Sequence, residues 1–340
     1  VNRPSTLDTL RRPLASLRVS VTDRCNLRCA YCMPQEAYTW LPSRDILSFE
    51  ELSTLVDGFI SLGLRKLRLT GGEPLVRREL PTLVALLARK PLDELALTTN
   101  GVLLAPQAQA LKSAGLTRLT VSLDTLQPAR FRALTRRDQH AQVLEGIAEA
   151  RRAGLGQGLK LDTVVLKGVN DDELVPLLDY AATVGAELRF IEYMDVGGAT
   201  GWSSARVVTR AVLLQRLTAA FGALELLGAR GSAPAERFRL PDGRVFGVIA
   251  STSQPFCGAC DRARLTADGH LFTCLYAPTG LDLKSPLRAG AAVMPLVAAA
   301  WERRDDRGAE ARAALVDRGP LATAATLQQN PLLEMHRRGG

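Results

Sequence analysis

Cys25, Cys29 and Cys32 fall within eight residues, spaced C-x3-C-x2-C, just after a strand-like stretch at 17–21. Three thiolates this close can hold a metal centre but cannot complete it. A structural zinc takes four ligands, and a four-iron cluster has four corners to fill. The open corner leaves an iron for a small molecule, so the spacing points to chemistry rather than scaffolding. Buried free thiols, or a zinc knuckle borrowing a ligand from elsewhere, are the rival readings; such density of cysteine rarely arises by accident. A second triplet, Cys257, Cys260 and Cys274, is spaced C-x2-C-x13-C. His270 lies in the same segment, so a Cys3His zinc site stands beside a second three-thiol cluster as an alternative. His140 and His336 are isolated and read as surface residues.

The chain has 340 residues, 46% hydrophobic and 23% charged, and a net charge of +8. That is enough for one barrel of about 250 residues plus an extension. The basic balance suits an anionic substrate, although the cations are scattered as on a solvated surface. The first residues carry Arg3, Arg11, Arg12 and Pro13 and lack the apolar core of a signal peptide. The longest apolar run, 289–301, contains Pro295 and is too short for a bilayer. Cysteines in two local triplets suit a reducing compartment. The expectation is a cytoplasmic protein with no membrane or nucleic-acid partner.

Alternating patterns must position these residues. Strands are expected at 17–21, 66–69, 95–97, 119–123, 159–166 and 188–191. Helices are expected between them at 50–62, 79–88, 107–114, around Val143, Leu144, Ile147 and Ala148, and at 172–184. Six βα units imply an α/β fold, an open, partial TIM-type barrel with a parallel sheet. The Gly/Ser-rich residues 196–204 read as a mobile loop or boundary, dividing a barrel, 1–195, from an extension, 196–340. The extension should be α+β. Short strands at 237–240, 245–249, 264–266 and 271–273 surround Pro-Asp-Gly and Ala-Asp-Gly turns, and an Ala/Arg-rich helical end includes a loose charged stretch, 302–312.

With Tyr31 before Cys32, the first triplet resembles the cluster loop of the radical S-adenosylmethionine (SAM) superfamily. Within it, nearly the whole chain resembles the GTP 3′,8-cyclase family of molybdenum cofactor biosynthesis. Arg68-Leu69-Thr70-Gly71-Gly72-Glu73-Pro74 matches the family's glycine motif. Thr98-Thr99-Asn100-Gly101, Ser122-Leu123-Asp124, Arg189-Phe190-Ile191-Glu192, the segment from Phe256 to Arg264 and the final Gly339-Gly340 match further signatures. Asp162, where the family commonly has Asn, and Arg337-Arg338 before the Gly-Gly end are departures.

The resemblance implies two [4Fe-4S] clusters, on Cys25, Cys29 and Cys32 and on Cys257, Cys260 and Cys274. It implies SAM contacts at Tyr31, Gly72, Ser122, Met194 and Arg189. GTP contacts would come from Arg18, Arg68, Thr98, Lys160, Arg262, Ala263 and Arg264, with Arg18, Arg262 and Arg264 serving catalysis. The implied reaction cleaves SAM reductively, removes the 3′ hydrogen of GTP and joins C3′ to C8. Implied partners are a one-electron donor such as a flavodoxin or ferredoxin, the next enzyme, cyclic pyranopterin monophosphate synthase, and a second copy in a homodimer. The alternatives are a radical SAM peptide maturase and a zinc and nucleic-acid binding protein. A Gly-Gly end can thread a narrow gap, so the tail is expected to reach the active-site channel near Arg18.

Overall fold

Alternation within single strands sets the architecture. In β1 (Ser16–Ser20) Leu17 and Val19 are buried in the main core, while Arg18 takes the other face. The same rule holds in β2 (Lys66–Thr70), β3 (Glu94–Thr99), β4 (Arg118–Ser122), β5 (Lys160–Val165) and β6 (Glu187–Glu192). Successive side chains of a strand point to opposite faces. Leu67, Leu69, Leu119, Val121, Leu161, Leu188 and Phe190 therefore face a helical layer, and the polar residues between them line an interior. The computed structural model describes residues 5–339; Gly340 of the expected tail lies outside the described residues.

Parallel register runs unbroken from β1 through β6. The C-terminal part then adds β7 (Glu225–Leu226), β8 (Glu236–Arg239), β9 (Val245–Ile249), β10 (Arg262–Leu265), β11 (His270–Phe272) and β12 (Leu281–Asp282). β9 joins β6 and β10 joins β1, both in parallel, so the extension widens the sheet at both edges. The order is β12-β11-β10-β1-β2-β3-β4-β5-β6-β9-β8-β7, an open sheet. The antiparallel hairpins β8–β9 and β10–β11 turn at Pro241-Asp242-Gly243 and Ala267-Asp268-Gly269, with both glycines at positive φ.

The helices follow their apolar stripes. Phe49–Ser61 starts in a capping box of Ser48 and Glu51 and buries Leu52, Leu55, Val56 and Phe59. A helix at Pro128–Thr135 was not expected. Its arginines mask an apolar face of Phe131 and Leu134.

Four expectations need correction. Residues 196–199 and Trp202 are buried rather than loose. A Cβ on Gly197 would stand 1.7 Å from the Leu333 carbonyl, and one on Gly198 1.9 Å from that of Cys32, so the glycines permit close backbone packing. The stretch 302–312 is anchored, since Arg304 is buried against Asp8 and Arg312 bonds Asp195 at 2.7 Å. His140 and His336 are buried, not surface residues. His140 Nε2 meets the Thr125 carbonyl at 3.1 Å, and His336 packs edge-on against Tyr38 and Trp40.

Candidate active site

The first cysteine loop follows the C-terminal end of β1 and is held by its neighbours' backbone. The Gly72 amide donates to the Thr22 carbonyl at 2.8 Å and the Glu73 amide to that of Arg24 at 2.7 Å. The Arg28 and Ala30 amides bond the Thr135 and Leu134 carbonyls at the end of the unexpected helix. Gly71 and Gly72 are small because the loop lies on them. Cβ atoms there would come within 2.6 Å of the Thr22 carbonyl and 2.4 Å of the Arg24 carbonyl. The nearest neighbour of each glycine is the loop itself. Glu73 turns inward and accepts from the Leu75 amide, the Thr99 hydroxyl and the Asn100 amide. Burial raises its carboxyl to about 7 despite those bonds. Asn100 reaches across to Asn26 at 2.8 Å, beside Cys25.

The second triplet lies at the opposite end of the strands. Cys257 and Cys260 precede β10, which runs parallel to β1, and Cys274 follows β11, which returns antiparallel. Both triplets line one cavity of about 330 Å³. All six cysteines are free thiols. His270 pairs with Asp268 at 3.4 Å and is absent from the cavity wall, so it does not join the cysteines.

Between the triplets the register sets charges side by side. Arg18 stands opposite Arg264 on one side and Arg68 on the other. Burial, and then the fields of Arg264, Arg262, Arg68 and Arg189, push the Arg18 guanidinium well below its ordinary range. Arg68 donates to Thr98 at 3.0 Å and Thr120 at 3.1 Å, and burial lowers it to about 10. Arg189 is clasped by Asp162 in two bonds of 2.6 and 2.8 Å. Arg262 stacks on Phe256 with its Nε buried and unpartnered among the described residues.

The tail enters this space. Arg264 donates to the Arg338 carbonyl at 3.1 Å and the Gly339 carbonyl at 2.6 Å. Gly339 has φ +73, and a Cβ there would meet Thr70 at 2.5 Å. Arg338, one of the two departures before the Gly-Gly end, is buried over the Phe272 ring and bonds the Leu275 and Leu332 carbonyls, while Arg337 bonds that of Thr39.

Of the expected contacts, Tyr31, Gly72, Ser122, Met194, Arg189, Arg18, Arg68, Thr98, Arg262 and Arg264 line the cavity. Lys160 and Ala263 are not among its walls. Lys160 sits at the start of β5, tied to Glu187 at 2.9 Å. Ala263 takes the outward face of β10 between the two inward arginines and is buried in the main core. Sequence reasoning missed Asp124, which accepts from the Tyr31 hydroxyl at 2.5 Å, and also Asn100, Phe256 and Tyr276. Asp124 was legible as the last residue of Ser122-Leu123-Asp124; its partner was not.

No metal or cofactor accompanies the chain, so the donor set tests the fit. Burial raises the Cys25 thiol to about 11 and Cys32 to about 12, and raises Cys29 well above the ordinary thiol range. Such thiols become ligands only beside a strongly electropositive centre. Three unpaired thiols facing one cavity fit a cluster with one iron left to a small molecule.

The Radical SAM superfamily profile matches residues 19–181, and Molybdenum Cofactor Synthesis C matches 186–310. The chain is 52% identical over 341 aligned residues to GTP 3′,8-cyclase 1 of Mycobacterium tuberculosis, covering 98% of this chain and 95% of that one. It is 48% identical to the GTP 3′,8-cyclase of Xanthomonas axonopodis pv. citri, covering 92% and 95%. Among solved structures, Streptococcus suis SuiB bound to S-adenosylmethionine superposes with TM-score 0.61 at 13% identity, covering 89% of this chain and 68% of that one, a likeness of fold. With near-full-length identity of this order, and both halves matched by their own profiles, the chain belongs to the GTP 3′,8-cyclase family of radical SAM enzymes.

Proposed function

We propose that the cavity binds GTP between two cluster sites and that its arginines hold the triphosphate. Membership makes the chain a radical SAM enzyme that cyclises GTP in the first step of molybdenum cofactor synthesis, with SAM and two [4Fe-4S] clusters as cofactors. The supporting observation is the gathering of Arg18, Arg68, Arg189, Arg262 and Arg264 around one cavity. Asp162 already pairs with Arg189, but the group as a whole still favours a polyanion. Arginine binds phosphate oxygens in pairs. When bound, the first cluster and SAM supply the one-electron chemistry that starts cyclisation.

The chain's own residues have the remaining tasks. Tyr31, Gly72, Ser122 and Met194 form the wall near the first triplet and would seat SAM. Asp124 orients Tyr31. Arg18, Arg262 and Arg264 stand on neighbouring strands between the triplets, where they would orient the nucleotide and steady charge as the ring closes. Lys160 would act from the barrel floor through its field and Ala263 only through its backbone. The enclosing walls keep water from reactive species. The division at 195/196 then has a functional meaning: the barrel holds SAM, and the extension brings Arg262, Arg264 and the second triplet to the nucleotide.

Exposed Arg24, Arg132, Arg136 and Arg137 lie on the first loop or on the helix end that packs against it. They support docking of an acidic one-electron donor such as a flavodoxin or ferredoxin. Adjacent exposed Leu315 and Val316 offer an apolar spot for a homodimer. The cyclised nucleotide would pass to the next enzyme of the pathway in the cytoplasm; no helix among the described residues is long and apolar enough to cross a membrane. Anaerobic incubation with SAM, GTP and a reductant, with products separated by chromatography and identified by mass and NMR, tests the reading. The expected products are 5′-deoxyadenosine and a cyclised GTP of unchanged mass. A nucleotide recovered without cyclisation while SAM is cleaved would overturn the substrate assignment.

A further inference from the structure

The second triplet is drawn from two places in the chain, and buried side chains pin its limbs. Arg12 donates to the Cys257 carbonyl at 2.8 Å. Arg304 donates to the Cys260 carbonyl at 2.9 Å and to the Thr273 carbonyl, next to Cys274, at 3.0 Å. Both guanidiniums share one oxygen of Asp8, at 2.6 Å from Arg12 and 3.0 Å from Arg304. The three side chains are all but fully buried. Further bonds close the unit. Trp301 Nε1 donates to the Arg12 carbonyl at 3.1 Å, Arg304 lies over the Trp301 ring, and Thr273 donates to Asp306 at 2.6 Å. Arg12 also reaches the Asp306 carbonyl at 2.7 Å.

Buried ion pairs are a weak source of stability, because desolvation offsets much of their attraction. What a guanidinium offers instead is several donors in a fixed plane, able to join segments that the sequence separates. Here the fork ends fall on the cysteine-bearing limbs. The first triplet's cysteines share one short loop, and the guanidinium that bonds its carbonyls, Arg28 on Cys25 at 2.9 Å and Leu27 at 2.8 Å, belongs to that same loop.

We propose that Asp8, Arg12 and Arg304 are positioning residues that hold the limbs of the second triplet at cluster-binding separation, so that the second cluster depends on them. This rests on the two-cluster reading above. The unit lies outside both triplets' motifs and joins residues near the chain's start to its C-terminal part.

The test counts each cluster by itself. In a background carrying Cys25→Ala, Cys29→Ala and Cys32→Ala, iron, zinc and sulfide are measured per chain after anaerobic reconstitution. Arg304→Gln in that background should lower iron at least five-fold. In the complementary background, with Cys257→Ala, Cys260→Ala and Cys274→Ala, the same change should leave iron within a fifth of its control. Arg304→Lys keeps the charge but cannot reach both carbonyls and Asp8 together. It should retain an intermediate amount of cluster, with EPR g-values shifted from the parent. Unchanged iron and g-values in both Arg304 variants would overturn the proposal. Parallel loss of both clusters would also overturn it, because Arg304 would then be a general staple. The unsubstituted first background is the separate control: if it binds zinc and never iron, the two-cluster reading itself fails.

Discussion

The two cysteine triplets achieve similar three-thiol sites by different means. The first is compact in sequence, and backbone does most to fix it: a glycine turn lies beneath it, a helix end lies beside it, and their amides and carbonyls pair with its own, with Arg28 and Asn100 adding side-chain bonds. The second is split by a strand pair, and side chains from residues 8, 12 and 304 pin it. Compactness shifts the sensitive positions to glycines, where any added atom displaces the loop. Division shifts them to buried charges distant in sequence. The two ends should therefore fail separately.

The largest expected effect tests that independence. Replacing Cys25, Cys29 and Cys32 by Ala should lower iron from about eight to about four per chain, four being the content of one cubane cluster. SAM cleavage should vanish while the second cluster survives. Loss of both clusters would break the comparison.

Next is Gly72→Ala. Its Cβ would meet the Arg24 carbonyl at 2.4 Å and the Asp23 carbonyl at 2.6 Å. Backbone must shift, at a cost of about 1–3 kcal/mol, as for other overpacked sites. Iron at the first site should fall selectively, with a lower denaturation midpoint; normal loading of that site would remove the explanation given for the glycines.

The tail sharpens the contrast from the side of the second triplet, through Arg264. A chain ending at Arg338 loses Gly339 and its bond to Arg264. It should keep both clusters and most GTP affinity and still form 5′-deoxyadenosine, but make no cyclised nucleotide. Full cyclisation in the truncated chain would show that the tail is only an end.

Smaller effects should grade the arginines. Alanine at Arg18, Arg68, Arg262 or Arg264 should each weaken GTP binding by roughly 1.5–3 kcal/mol per charged hydrogen bond lost, with SAM binding nearly constant. Lys160→Ala should cost less than any of these, because its ammonium already pairs with Glu187 away from the cavity wall. Titration calorimetry that ranked Lys160 first would overturn this ordering.

By itself, the sequence determined what local pattern can determine. Spacing within one loop marked Cys25, Cys29 and Cys32. Alternation marked the six strands of the barrel, because a strand buried on one face must repeat every second residue. Motif likeness marked the arginines. It could not place Lys160 relative to the cavity, because that depends on strand register and the tilt of neighbouring strands. Nor could it foresee that residues 196–199 would be buried, since a glycine pair reads the same in a loose loop and under a crossing backbone. The helix Pro128–Thr135 was hidden by its arginines, although it supports the first cysteine loop. His336 looked isolated because its neighbours Tyr38 and Trp40 lie far away in sequence. Tertiary structure alone decided the addition of β9 and β10 to the two edges of the barrel sheet, which brings the second triplet opposite the first. It also decided the meeting of Asp8, Arg12 and Arg304. The physical reason is common to both: buried backbone and buried charge must find partners, and which partners they find depends on the whole chain's path.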